Sequence, residues 1–292
     1  MYDTVVVPTD GSDEAVRAAD HAVWLARRFD ATVHVLHVVD SERVEEVTEH
    51  GTVREQLSER LAAAGERAVS RVEEAVADAP TVETHTLHGS PAATIQRFTE
   101  EIDADLVSMG TSGRSGLDRL LLGSTAETVL RQVDCPVLTT RATPESELAE
   151  SGYDEILLPT DGSDRADAAV DHTLAVAEQA DARVHVVSVV DIAAVTTLSG
   201  YVVEEFVDRQ RESADETTTR LADRARERGL DAVTAVRKGY PTGTLLEYAE
   251  ERGVDLITMA TAGRSGLDRL LLGSTTERVV RESPVPVLAV RT

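Results

Sequence analysis

Gly110, Gly113 and Gly123 follow the apolar run Leu106 to Met109, and Ser124 and Thr125 come directly after them. Glycines placed after a strand remove Cβ atoms, so backbone N–H groups can approach an anion closely, and they permit positive φ. A helix opening at Ser124 adds unpaired amides and the positive end of its dipole, which favour a phosphate. Arg114 and Arg119 lie in the same loop and supply local positive charge. Together these residues suit a phosphate cradle. The pattern recurs at Met259, Gly263, Arg264, Gly273, Ser274 and Thr275, with Ala260 where the first copy has Gly110.

The same residues have a plainer role. Ser124 to Glu127 also spells a capping box, with Ser124 bonding the N3 amide and Glu127 reaching back, and Ser274 to Glu277 repeats it. Asp10 and Ser12 are ordinary turn and cap residues as well as candidate ligand contacts. The loop spacing fits neither GxxxxGK[ST] nor GxGxxG, and a HIGH-type nucleotidyl-transfer signature is absent. No HExxH or similar spacing occurs among the eight histidines, so no metal site is expected. A divalent ion such as Mg²⁺ would arrive only with a triphosphate, on phosphate oxygens and water. Cys135, next to Pro136, reads as a buried or interface thiol.

Positioning such a loop requires strands that end where it begins. Thr4 to Val7, Thr32 to Val39, Val82 to Leu87, Leu106 to Met109 and Val137 to Thr140 are apolar or β-branched runs and predict five strands. Helical patterns fall between them, from Ser12, over Arg54 to Ala77, from Pro91 to about Glu101, and over Ser124 to Gln132. This βα alternation predicts an α/β fold with a doubly wound, mainly parallel five-stranded sheet. Ligands on such sheets sit at the carboxyl ends of the strands.

The whole unit occurs twice. Residues 113 to 125 and 263 to 275 share the thirteen letters GRSGLDRLLLGST, and Pro8-Thr9-Asp10-Gly11-Ser12 recurs as Pro159-Thr160-Asp161-Gly162-Ser163. A period this long marks a duplicated domain and not a solenoid repeat. Residues 1–141 and 153–292 are therefore expected to be two domains, joined by a polar linker over 142–152.

Composition narrows the partners. With 53 acidic against 29 basic residues and a net charge of -24, sequence-independent nucleic-acid binding is disfavoured. Only one basic residue, Lys238, is a lysine. That skew resembles the proteins of salt-accumulating halophilic archaea, in which molar salt screens carboxylate repulsion. A single cysteine builds no disulfide framework, no apolar run is long enough to span a bilayer, and Met1 to Thr4 lacks a signal peptide's basic region. A cytoplasmic protein without a membrane partner is the expectation.

Val7-Pro8-Thr9-Asp10-Gly11-Ser12, His37-Val38-Val39-Asp40, Met109 to Leu117, Leu122 to Glu127 and Cys135-Pro136-Val137-Leu138, in that order, resemble the universal stress protein family over nearly all of both halves. The resemblance implies a Rossmann-like fold of the adenine nucleotide alpha hydrolase type. It also implies pseudo-two-fold pairing of two such domains through their last strands, and bound ATP or a related adenine nucleotide in a stress-response regulator. Carried over by position, Gly110, Gly113, Arg114, Ser124 and Thr125 would hold phosphates. Gly123 and Asp10 would border the ribose, Pro8, Thr9 and Met109 would line the pocket, and the backbone of Val38 would meet the adenine. Pro159, Thr160, Asp161, Val189, Met259, Gly263, Arg264, Gly273, Ser274 and Thr275 match in the second copy. There the Cβ of Ala260 is expected to hinder the phosphate and weaken the site. Two other readings stand beside this one, a weak ATPase or phosphoryl-transfer enzyme and a nucleotide-free interaction module. Further dimerisation of the chain is left open.

Overall fold

The computed structural model describes residues 1–40, 51–112, 122–192, 201–261 and 272–291, and only the backbone of 51–59, 62 and 201–206. Two compact units divide the chain, Met1–Glu147 and Leu148–Thr292.

Unit 1 runs β1 (Thr4–Pro8), α1 (Asp13–Phe29), β2 (Thr32–Asp40), α2 (Gly51–Val76), β3 (Thr81–Gly89), α3 (Pro91–Glu101), β4 (Leu106–Gly110), α4 (Ser124–Gln132) and β5 (Val137–Thr140). The strands lie in the order β3-β2-β1-β4-β5, and the four adjacent pairs are all parallel. Unit 2 repeats the plan with β6 (Glu155–Pro159), α5 (Ala168–Ala180), β7 (Arg183–Asp191), α6 (Tyr201–Glu227), β8 (Ala232–Gly239), α7 (Pro241–Arg252), β9 (Leu256–Ala260), α8 (Ser274–Glu282) and β10 (Val287–Val290). Its order is β8-β7-β6-β9-β10, again parallel throughout. This is the doubly wound α/β fold that the alternation of patterns predicts, present once in each half.

The central strands are β-branched because helices cover both faces. Val5, Val6 and Val7 are fully buried, as are Ile156 and Leu157 in the matching strand. On one face α1 packs with α2, and on the other α3 packs with α4. Helix α1 starts at once behind its N-cap Ser12, whose Oγ accepts the Ala15 amide at 3.3 Å, and ends at Asp30 in the left-handed region. Helix α5 starts one turn later in its copy, because residues 164–167 form turns. Pro91 and Pro241 open α3 and α7, where a missing N–H costs nothing.

Residues 142–147 stay with unit 1. A short 3₁₀ turn at Pro144–Ser146 sits on α1, where Nε2–H of the buried His21 donates to the Ser146 carbonyl at 2.9 Å. No helix among the described residues is long and apolar enough to cross a membrane.

In each unit the strand order reverses between β1 and β4, or between β6 and β9. The connections there leave to opposite faces and open a crevice at the carboxyl ends of the strands.

Candidate functional site

The wall formed by the first strand and its turn is built the same way twice. The Thr9 amide donates to the Leu36 carbonyl at 2.8 Å, and the Thr160 amide to the Val187 carbonyl at 2.8 Å, so both chains leave the sheet at the same point. Thr9 Oγ1 then accepts the Gly11 amide at 3.0 Å, and Asp10 Oδ1 accepts the Ser12 amide at 2.9 Å. In unit 2 the corresponding distances are 3.1 Å for Thr160 and Gly162, and 3.0 Å for Asp161 and Ser163. Gly11 and Gly162, at φ 76° and 77°, occupy the left-handed conformation this turn demands. One oxygen of Asp10 and of Asp161 therefore serves the turn.

The glycine loop is pinched at its base. The Thr111 amide donates to the Thr140 carbonyl at 2.9 Å, and the Gly123 amide donates back to the Thr111 carbonyl at 2.8 Å. The Thr261–Val290 and Gly273–Thr261 bonds repeat this at 2.8 and 2.7 Å. Both necks deliver the chain to a helix start at the crevice. Gly113, Arg114, Gly263 and Arg264 lie outside the described residues.

The capping-box expectation is corrected. The N-caps are Gly123 and Gly273, extended and without a side-chain cap bond, so Ser124 and Ser274 are the first helical residues. Glu127 pairs with Arg131 at 2.9 Å, one turn along the helix. Neither helix start is closed by its own side chains, and this is the arrangement that receives an anion.

Gly110 also has a packing role. A Cβ on Gly110 would lie 2.6 Å from Glu14 Cβ and 3.1 Å from Glu14 C, on α1. Glycine is needed there so that α1 can pass across the end of β4. Thr140 Oγ1 donates to the Glu14 carbonyl at 3.3 Å and Ser112 Oγ to Glu14 Oε1 at 3.2 Å, which fixes α1 in that position. Ala260 coincides with the delayed start of α5. Ala260 itself lines a cleft in unit 2.

Unit 2 contains a cleft of about 390 Å³ at the carboxyl ends of β6, β7 and β9. It brings together the predicted Pro159, Thr160, Asp161, Val189, Met259, Gly273, Ser274 and Thr275, and Ala260 with them. Sequence reasoning missed the far wall, formed by Gln210, Ser213, Ala214 and Thr217 of α6, and by Pro241 and Leu245 of α7. The signal was present as uncharged residues at positions 210, 213, 214 and 217, one face of an otherwise charged helix.

Unit 1 places Pro8, Met109 and Gly110 at the ends of β1 and β4, Val38 near the end of β2, Thr9 and Asp10 in the first turn, and Gly123, Ser124 and Thr125 at the start of α4. The two crevices also differ on the second strand. Where Ser188 lines the cleft, unit 1 has His37, whose Nδ1 lies 2.8 Å from the Thr9 carbonyl. Its ring also fills the space above Gly65 of α2, so that a Cβ there would sit 2.6 Å from His37 Cδ2. The two crevices thus differ here by an imidazole held against the first turn and over α2. A separate groove of about 1120 Å³ in unit 1 runs along Gly11 to Glu14 and past Arg67, Arg71 and Arg141 to Ser112.

Cys135 takes no part in either crevice. Burial pushes its thiol up to about 12, which keeps it protonated and inert.

The family model described as "Universal stress protein family" matches residues 1–141 and again residues 152–291. The chain belongs to this family. A universal stress protein of Methanocaldococcus jannaschii is 42% identical over 143 residues, 48% of this chain and 83% of the relative. The crystal structure of a universal stress protein from Archaeoglobus fulgidus has a TM-score of 0.70 at 21% identity, covering 99% of this chain and 96% of that one. A functionally unknown protein from Pseudomonas aeruginosa has a TM-score of 0.64 at 19% identity, with 99% and 92% covered. At these identities the two structures establish the fold. Both units of this universal stress protein are thus complete family domains, and their crevices can be compared position by position.

Proposed function

We propose that this universal stress protein is an adenine-nucleotide-binding regulator whose principal site is the cleft of unit 2. The observation that carries the reading is the start of α8, whose N-cap Gly273 makes no side-chain cap bond, lining a cleft at the switch point of a parallel sheet. The cleft volume, about 390 Å³, falls in the range of small-molecule sites.

The residues fit a nucleotide. Ser274 and Thr275 add hydroxyls to the helix-start amides and would hold phosphate oxygens. Asp161, whose Oδ1 is already fixed by Ser163, would orient ribose hydroxyls. Val189, beside the apolar Met259 and Leu245, would border the base. Hydroxyls, amides and carboxylates placed in this way position a ligand, so binding is the function assigned to the cleft.

Titration of the full chain with ATP, followed by calorimetry, tests this. One saturable equivalent per chain is expected, weakened more than about tenfold in the double variant Ser274→Ala, Thr275→Val, since each lost bond to a charged group costs about 1.5–3 kcal/mol. Absence of saturable binding at millimolar ATP would refute the assignment.

A further inference from the structure

Away from both crevices, the register of β2 and β3 sets three metal-ligating atoms face to face. His34 pairs with Glu83 across the two strands, and Leu36 with His85, so all three polar side chains project from one face of the β2–β3 pair. His34 Nδ1 lies 3.1 Å from His85 Nε2 and 3.6 Å from Glu83 Oε2, and the latter two atoms are 3.8 Å apart. A tetrahedral ion with bonds of 2.0–2.1 Å has ligands about 3.3 Å apart. The three separations bracket that edge, so a single ion can meet all three atoms after small side-chain adjustments.

We propose that His34, Glu83 and His85 form a zinc site, with the fourth position open to solvent. Two imidazoles and one carboxylate are a donor set that zinc accepts, whereas Mg²⁺ and Ca²⁺ require oxygen ligands. The surroundings are those of a built site. Phe98 of α3 packs on both rings, its centroid 6.2 Å from His34 and 4.8 Å from His85, and limits their rotation. His34 is buried, and the site takes its imidazole in the neutral form. The Glu83 side chain, 56% exposed, faces solvent and leaves an entry path.

Unit 2 shows what this position looks like without a site. His185 replaces His34 in the same register, but Val233 and Ala235 replace Glu83 and His85. Both nitrogens of His185 are satisfied internally, Nδ1 by the Tyr248 hydroxyl at 2.9 Å and Nε2 by Glu155 Oε2 at 2.5 Å. Unit 1 has Phe98 in place of Tyr248 and Thr4 in place of Glu155, and His34 Nδ1 turns instead toward the convergent pair on β3.

The test is a competition titration of the metal-stripped full chain with zinc chloride against a chromophoric chelator, repeated with Co²⁺ to read the absorption of a four-coordinate site. Wild type is expected to bind one tight equivalent and to give the intense visible bands of tetrahedral Co²⁺. Glu83→Gln combined with His85→Ala, both on the edge strand and leaving the buried His34 in place, should weaken zinc more than about 100-fold, beyond the 10–100-fold that losing an outer-shell partner costs. It should also abolish the rise in Tm that zinc gives the wild type. His88→Ala, on the same strand outside the cluster, should change neither. Unchanged zinc affinity in the double variant, or the weak bands of octahedral Co²⁺ in the wild type, would overturn the proposal.

Discussion

Unit 1 and unit 2 have the same strands in the same order, yet at three matched positions their side chains do opposite things. His37 packs over Gly65 and against the Thr9 carbonyl, while Ser188 lines a cleft. Gly110 lets α1 cross the end of β4, while Ala260 accompanies a helix that starts a turn late. His34 faces two further ligating groups across a strand pair, while His185 is closed off by Tyr248 and Glu155. The lesson concerns where specificity resides after duplication. The backbone features thought to make a nucleotide site, the glycine neck and the helix start, are intact in both copies. Among the described residues, His37 and Ser188 differ on the second strand beside that shared frame.

The largest effect expected to separate the units is their response to acid. His21 in unit 1 is held down to about 4, by burial first and by Arg17, against the opposing bond to the Ser146 carbonyl. Its folded pKa lies below the unfolded value, so its contribution is full above about pH 6.5 and is lost as pH falls toward 4, up to about 3 kcal/mol. Asp255 in unit 2 is pushed up to about 6, chiefly by burial, despite bonds from the Asp154 and Glu155 amides. A raised carboxyl contributes stability that is full below about pH 3.8 and is lost as pH rises through 6, again up to about 3 kcal/mol. His172, lowered by burial, offsets part of this in unit 2. Hydrogen exchange resolved by unit, followed from pH 7 to pH 4, should show unit 1 losing protection first. His21→Leu should reduce that loss, and simultaneous loss in both units would break the comparison.

Next in size is the exchange at the second strand. Ser188→His should place an imidazole in the unit 2 cleft as His37 sits in unit 1, and lower ATP affinity about 100-fold, or about 2.7 kcal/mol. The reverse change, His37→Ser, removes the ring from above Gly65 and should add a second, weaker equivalent in the same titration. Wild-type affinity in Ser188→His would show that the cleft is not where nucleotide binds, whatever the affinity of the chain.

Much of this was legible in the sequence because it was local. The strand of valines at Val5 to Val7, the glycine turn at Gly11, the proline before α3 and the thirteen-letter repeat each carry their own signal. The start of α4 was legible to within one residue, and the error mattered. Gly123 takes the extended N-cap conformation, which moves Ser124 from cap to first helical residue, with no side-chain bond from the N-cap. The remainder was hidden because it depends on the pairing of distant segments. Glu14 meets Gly110 only once α1 lies on β4, and His34 meets Glu83 and His85 only through the β2–β3 register. Composition could not show that uncharged residues of α6 complete a cleft whose other walls come from segments between Pro159 and Thr276.

The smallest expected effect tests the meaning of the one glycine that differs. If Gly110 exists for packing, Gly110→Ala must push Glu14 and the first turn of α1 off the end of β4, because the nearest atoms in the way are Glu14 Cβ and its carbonyl carbon. Overpacking of this kind costs about 1–3 kcal/mol. It should appear as a Tm lower by several degrees and as faster exchange at Ala15 to Ala18, with ATP titration unaltered. The converse, Ala260→Gly, should cost less than about 1 kcal/mol through added chain entropy and leave nucleotide affinity in unit 2 where it was. A tenfold gain in ATP affinity on Ala260→Gly would support the phosphate-approach reading, because Ala260 lines the cleft and its carbonyl accepts the Thr276 hydroxyl at 2.8 Å at the start of α8.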